Sequence, residues 1–284
     1  MTFPHALPAS VAVTAALSCL VLALTWRAAL NLLDDRTIRR SYPRACAYRL
    51  GRGWTDPDTL AAERRRALAK LIAAAALLPA LLLPPSRWTA GAALLGCGLA
   101  GACILWDKSP RYSNICLLVL LAVLALHHAT IAIVGAPFPQ LVGSTASFFA
   151  AQMYLVAGIR KIRSPRFMDG QVLMDNIASN AWQAATGSRE FLPLPRLPQL
   201  ATLLGTPAFH TVCRTAALAT ATIEITLGLG AIGLFPPTAT LLMAVPTHLA
   251  FTAIGPRRIV VFSAASLGLL LLALPYPLLA IAGW

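Results

Sequence analysis

Charge is scarce in this chain, and acidic charge most of all. Asp and Glu number 10 against 23 Lys and Arg, and charged residues make up only 12% of the 284 positions. A soluble globular surface needs about twice that share, so an ordinary soluble domain is excluded. The six cysteines, Cys19, Cys46, Cys97, Cys103, Cys116 and Cys213, show no Cys-x-x-Cys or Cys/His spacing. That excludes a zinc site or a disulfide framework and leaves small residues buried in apolar segments. No basic stripe interleaved with aromatics is present, so nucleic acid is not an expected partner. The first apolar run, from about Leu7 to Leu24 and amphipathic toward Leu33, has no basic region before it. It reads as a retained spanning helix rather than a signal peptide.

What the chain has instead is hydrocarbon. Apolar residues make up 58% of it and the mean hydropathy is +0.71, values that belong to a polytopic membrane protein. The expected fold is all-α, a bundle forming a single integral-membrane domain over residues 1–284, with the lipid bilayer as its first partner. A spanning helix needs about 20 largely apolar residues. Eight segments qualify, at approximately 8–31, 67–84, 88–106, 113–134, 143–162, 208–232, 236–254 and 259–282. Pro and Gly mark the breaks at PPSR (84–87), GAPFP (135–139), FPP (235–237) and GPRR (255–258).

Lys and Arg concentrate in alternate loops. The 32–66 loop holds nine arginines, 107–112 holds Lys108 and Arg111, and 160–207 and GPRR are also basic, while 135–142 and 233–235 carry no charge. The positive-inside rule then puts both termini outside and the charged mouth in the cytoplasm. Within 163–207, Val172, Leu173, Met174, Ile177 and Trp182 fall at near-helical spacing, which predicts an interfacial helix.

The stretch from 151 to 177 runs an apolar segment carrying Gln152, Tyr154 and Gly158 straight into Arg160, Lys161, Arg163, Arg166 and Asp169. Such a junction is either a site or a headgroup anchor. Glu224 is the clearest ionisable residue inside a span, where a charge costs about 2.5–3.5 kcal/mol on insertion scales and so asks for a partner. It lies about 16 residues into its helix, about 24 Å at helical rise, at a depth similar to His127 and His128. That depth permits a Glu-His contact, either functional or a structural hydrogen bond between helices. His248 follows Pro246, which frees a backbone carbonyl. Depth counting yields an inner polar tier of Asp107, Lys108, Asn114, Lys161, Asp169 and His248, and an outer one of His127, His128 and Glu224. Desolvation at a helix end is one route by which a lysine becomes a usable base. The pair Asp34-Asp35 is the common solvated kind, and DNIASNAWQ (175–183) is only loosely like a terpene-synthase metal motif, with Gln183 where an acid would stand.

Two stretches resemble a known family. YLVAGIRKIRSPRFMDG is similar to the helix of the vitamin K-dependent gamma-carboxylases and their bacterial HTTM relatives that contains an AG-x-x-K pattern, and WDKSPRYSNICLLVLL resembles their DK-[ST] segment leading into a leucine-rich helix. With a Glu in the next helix and a His in the one after, the likeness covers roughly residues 60–265. It points to the short bacterial form that lacks the soluble β-rich domain, and so to a bacterial cell membrane. Carried over, Lys161 falls on the catalytic base and Asn114 on the Asn of an Asn-His pair whose histidine is Ile115 here.

Three functions follow as expectations. The first is an intramembrane enzyme acting on an isoprenoid, most concretely a terpene synthase, a lyase that ionises a prenyl diphosphate; the resemblance permits this. Arg160, Lys161, Arg163 and Arg166 would take the diphosphate, with Lys108, Asn114 and Tyr154 also lining the substrate. Asp107, Asp169 and Asp175 would hold Mg²⁺. The aromatic faces of Tyr154, Phe148, Phe149 or Trp106 would steady a carbocation. Lys161, Asp107, Asp169, His248 and Glu224 are the catalytic candidates. The second is carboxylase-like acid-base chemistry on a reduced quinone or related lipid with Lys161 as base. The third is a non-catalytic membrane partner or transporter in which Glu224, His127 and His128 form a relay or latch.

Overall fold

The computed structural model describes residues 8–41, 47–49, 52–54, 57–106, 112–185, 195–257 and 259–281. Among the described residues the fold is all-α apart from one short hairpin, and the chain is an integral membrane protein. Among the described residues five helices are long and apolar enough to cross a membrane, over Ala9–Leu33, Arg87–Leu105, Ser113–Val134, Pro139–Ile162 and Pro207–Ala231. All eight apolar segments are helical. The last is shorter than expected, because Pro275 and Pro277 remove two backbone donors and end the helix at Ala273, well before 282.

The chain forms two compact units, Leu17–Phe138 and the remainder, Met1–Ala16 with Pro139–Trp284. The first contains most of α1 (Ala9–Ser41), the antiparallel strands β1 (Ala47–Arg49) and β2 (Arg52–Trp54), α2 (Pro57–Leu82), α3 (Arg87–Leu105) and α4 (Tyr112–Val134). Helix α3 starts at a capping box in which Ser86 and Thr89 satisfy each other's backbone N–H groups. It packs against α2 where Gly96 leaves room: a Cβ there would sit 2.9 Å from the Ala73 carbonyl and 2.8 Å from Leu77 Cδ2.

The second unit is built on α5 (Pro139–Ile162). The predicted helix in the long loop is present, as α7 (Gln171–Ala185), between the single-turn α6 (Pro165–Met168) and α8 (Leu197–Leu203). Helices α9 (Pro207–Ile232), α10 (Pro237–Ile254), α11 (Ile259–Ala273) and α12 (Leu278–Ile281) complete it. Glycine again sets the closest approach. A Cβ on Gly158 of α5 would lie 2.7 Å from Ile225 Cγ1 and 3.2 Å from the Ala221 carbonyl of α9, and one on Gly228 would meet Leu155 at 2.6 Å. At the far end of α5, Ser147 Oγ donates to the Ala231 carbonyl at 2.6 Å and accepts from the Leu278 N–H at 3.2 Å. These contacts pair high numbers on α5 with low numbers on α9, so the two helices are antiparallel.

Helix α9 also overshoots α5. Gly170, at φ +80°, lies so close to α9 that a Cβ would be 2.5 Å from the Arg214 backbone nitrogen. Only glycine suits both the left-handed backbone and that spacing. The segment after α5 therefore continues along the first turns of α9.

Candidate functional site

Tyr154, Gly158 and Lys161 recur at i, i+4 and i+7, so they share one face of α5. Gly158 brings that face against α9, and Lys161 Nζ reaches Glu224 Oε1 in a direct hydrogen-bonded ion pair. The carboxylate is buried, with 6% of its side chain exposed, against 25% for the lysine. Two aromatic faces enclose the ammonium: its nitrogen is 5.5 Å from the centroid of Phe167 and 5.6 Å from that of Phe251. Such distances are within cation-π range.

Two turns deeper on α5, Tyr154 Oη and His248 Nε2 are 2.6 Å apart in a buried hydrogen bond. The imidazole packs edge-on against Phe251, centroids 5.8 Å apart, and lies 6.0 Å from Phe262. Phe251 thus touches both pairs, and α5, α6, α9, α10 and α11 each contribute to one enclosed set. Two polar atoms in it, Glu224 Oε2 and His248 Nδ1, are buried with no hydrogen-bond partner among the described residues. An orphaned buried acceptor of this kind is rare and marks a strained or ligand-facing position.

The two-tier arrangement inferred from depth does not hold, because Lys161 and Glu224 belong to one pair. The overshoot of α9 is the reason. Its first turns run beside α6 and α7, so counting from its start places Glu224 too deep relative to α5. Glu224 finds its partner within its own unit, whereas His127 and His128 belong to the other unit, buried edge-to-face on α4 with ring centroids 5.1 Å apart. Asn114, also buried, lies in that other unit as well.

The remaining candidates are at the surface or outside the described residues. Asp107 and Lys108 are outside them, as are the side chains of Asp34 and Asp35. Arg166 is exposed and reaches Gln171 Oε1 at 3.2 Å and Asp175 Oδ2 at 3.4 Å. Asp169 is exposed and faces His210 at 3.6 Å. The two described carboxylates expected to hold Mg²⁺ thus each face a cationic or basic group. Among the described residues no cluster of three His, Cys, Asp or Glu could bind a metal, and Asp107, the third expected ligand, lies outside them. Arg160 and Arg163 are exposed. Of the expected cation-steadying aromatics Tyr154 is buried in the site, whereas Phe148 is 53% and Trp106 74% exposed on apolar helix surfaces.

Phe167, Phe251 and Phe262 were not legible as site residues, since an aromatic in an apolar segment carries no local signal of what it faces. The FMDG tail after α5 is the clue that existed: Gly170 docks on α9 and so holds Phe167 under Lys161. No family model, curated protein or solved structure matches this chain.

Proposed function

We propose that this chain is an intramembrane enzyme acting on an isoprenoid or similarly apolar lipid, with Lys161 and Glu224 as its proton-transfer pair. The observation that carries this reading is the buried Lys161–Glu224 ion pair walled by the rings of Phe167 and Phe251. A carboxylate and an amine in contact offer one group to take a proton and one to return it. Tyr154 and His248 supply a second proton-bearing pair across Phe251. The HTTM-type resemblance around Lys161 agrees with a base at this position and is part of the proposal. So is the orientation, with the charged mouth cytoplasmic and both termini outside, which rests on the alternation of basic loops.

A second reading within the same substrate class is a terpene synthase that ionises a prenyl diphosphate. One observation favours it: the two phenylalanine faces that hold an ammonium would also steady a carbocation. Against it, Lys161 is already neutralised by a carboxylate that would repel a phosphate.

Product analysis by mass spectrometry tests both. Membranes containing wild type or Lys161→Ala would be offered C10, C15 and C20 prenyl diphosphates with Mg²⁺ and, separately, a reduced prenylated quinone with oxygen. A product made by wild type alone supports the enzyme and names its chemistry. No turnover of either class by folded protein would leave the Lys161–Glu224 pair as a latch between α5 and α9.

A further inference from the structure

The box that holds the Lys161 ammonium stands without it. Phe167 is fixed from its own segment, where its N–H donates to Ser164 Oγ at 3.3 Å and Gly170 seats that segment on α9. Phe251 packs on the imidazole of His248, ring centroids 5.8 Å apart, which Tyr154 holds in turn. Glu224 is placed by α9, whose spacing to α5 is set at Gly158 and Gly228. None of these anchors involves the lysine side chain.

Of the ion pair, the lysine is the member with a way out. Its side chain is 25% exposed against 6% for the carboxylate, so the ammonium enters from the mouth on a flexible four-carbon stem. It also leaves the acid incompletely used. Nζ bonds Oε1, while Oε2 is buried with no hydrogen-bond partner among the described residues. Withdrawal of Lys161 toward the mouth leaves a buried carboxylate and two phenylalanine faces around the point where a cation now rests, 5.5 and 5.6 Å from their centroids. An acid beside paired aromatic faces is a receptor for an organic cation.

We infer that this box is a binding site for a lipophilic amine, its protonated nitrogen taking the place of the Lys161 ammonium and its alkyl chain the path of the lysine stem. The carboxylate excludes an anion. A nitrogen that keeps an N–H is favoured over a quaternary one, because it can donate to Glu224 in a charge-assisted hydrogen bond. An alkyl chain suits the path, since the methylenes of lysine already fill it. The inference does not rest on the proton-transfer reading: an amine bound here parts Lys161 from Glu224 and silences that pair.

The probe is N,N-dimethyloctylamine, with octanol as the uncharged control, added to the full chain in a neutral detergent. In wild type the amine should drive Lys161 into solvent and raise its acetylation by an N-hydroxysuccinimide ester severalfold, read by peptide mass spectrometry; octanol should not. Lys70, 3% exposed in the other unit, should stay slow with both, which shows the fold intact. This measurement needs no variant to fold. Lys161→Ala empties the box and should bind the amine about 10–100-fold more tightly than wild type, because the lysine-out state is a minor one. That binding is read as a saturable rise in unfolding temperature, and adding Glu224→Gln should abolish it. Lys161 acetylation unchanged up to amine concentrations that begin to label Lys70 overturns the inference. So does equal stimulation by octanol, equal affinity in wild type and Lys161→Ala, or binding that survives Glu224→Gln.

Discussion

Breaking the Lys161–Glu224 pair from its two sides should have unequal consequences, and the inequality comes from exposure. Lys161→Met leaves a carboxylate with 6% of its side chain exposed, one oxygen already unpartnered, and no cation beside it. Stranding one member of a buried pair costs about 3–5 kcal/mol. Glu224→Leu leaves an ammonium that is 25% exposed, seated against two phenylalanine rings and next to the mouth. That ammonium can turn outward on its flexible stem, so the loss should be nearer the worth of a hydrogen bond to a charged group, about 1.5–3 kcal/mol. In the double variant both charges are gone and apolar side chains fill their space, which is often close to neutral. Equilibrium unfolding of the four proteins in one detergent closes this double-mutant cycle. Glu224→Leu proving more destabilising than Lys161→Met, or strictly additive losses, would refute the claim that burial of the carboxylate sets the balance.

Other consequences follow from distances already given. Gly158→Val places a Cβ 2.7 Å from Ile225 Cγ1 and should destabilise the second unit by about 1–3 kcal/mol, read as a lowered unfolding midpoint. Tyr154→Phe removes the 2.6 Å bond to His248 and leaves both imidazole nitrogens without a partner; a loss of about 1–3 kcal/mol is expected in the same assay, and an unchanged midpoint would discount the pair. Gly170→Ala forces a Cβ into the Arg214 backbone at a left-handed φ. It should lift the 164–170 segment off α9 and increase hydrogen exchange there, with exchange in α11 unchanged.

Local pattern accounts for much of the architecture. Every apolar segment became a helix, and breaks followed the prolines and glycines because loss of a backbone donor or a left-handed φ is a property of one residue and its neighbours. The helix at 171–185 was legible for the same reason, from the spacing of Val172, Leu173, Met174 and Ile177. The exception is instructive: the run to 282 is apolar throughout, yet Pro275 and Pro277 outweighed hydropathy.

The candidate site was legible only as an inventory. Lys161, Glu224, Tyr154 and His248 stood out because ionisable or hydrogen-bonding groups are costly in hydrocarbon, and that requirement belongs to each residue alone. Which group would satisfy which could not be read the same way. The sequence by itself determined that this is a membrane protein made of apolar helices with a basic, glycine-interrupted junction after Lys161. Only the tertiary structure decided that Glu224 meets Lys161, that His248 meets Tyr154 and that Phe167 lies against the ammonium. Those pairings depend on the offset between α5 and α9, set by Gly158, Gly228 and Gly170 at contacts between helices remote in the chain, where no local periodicity reaches.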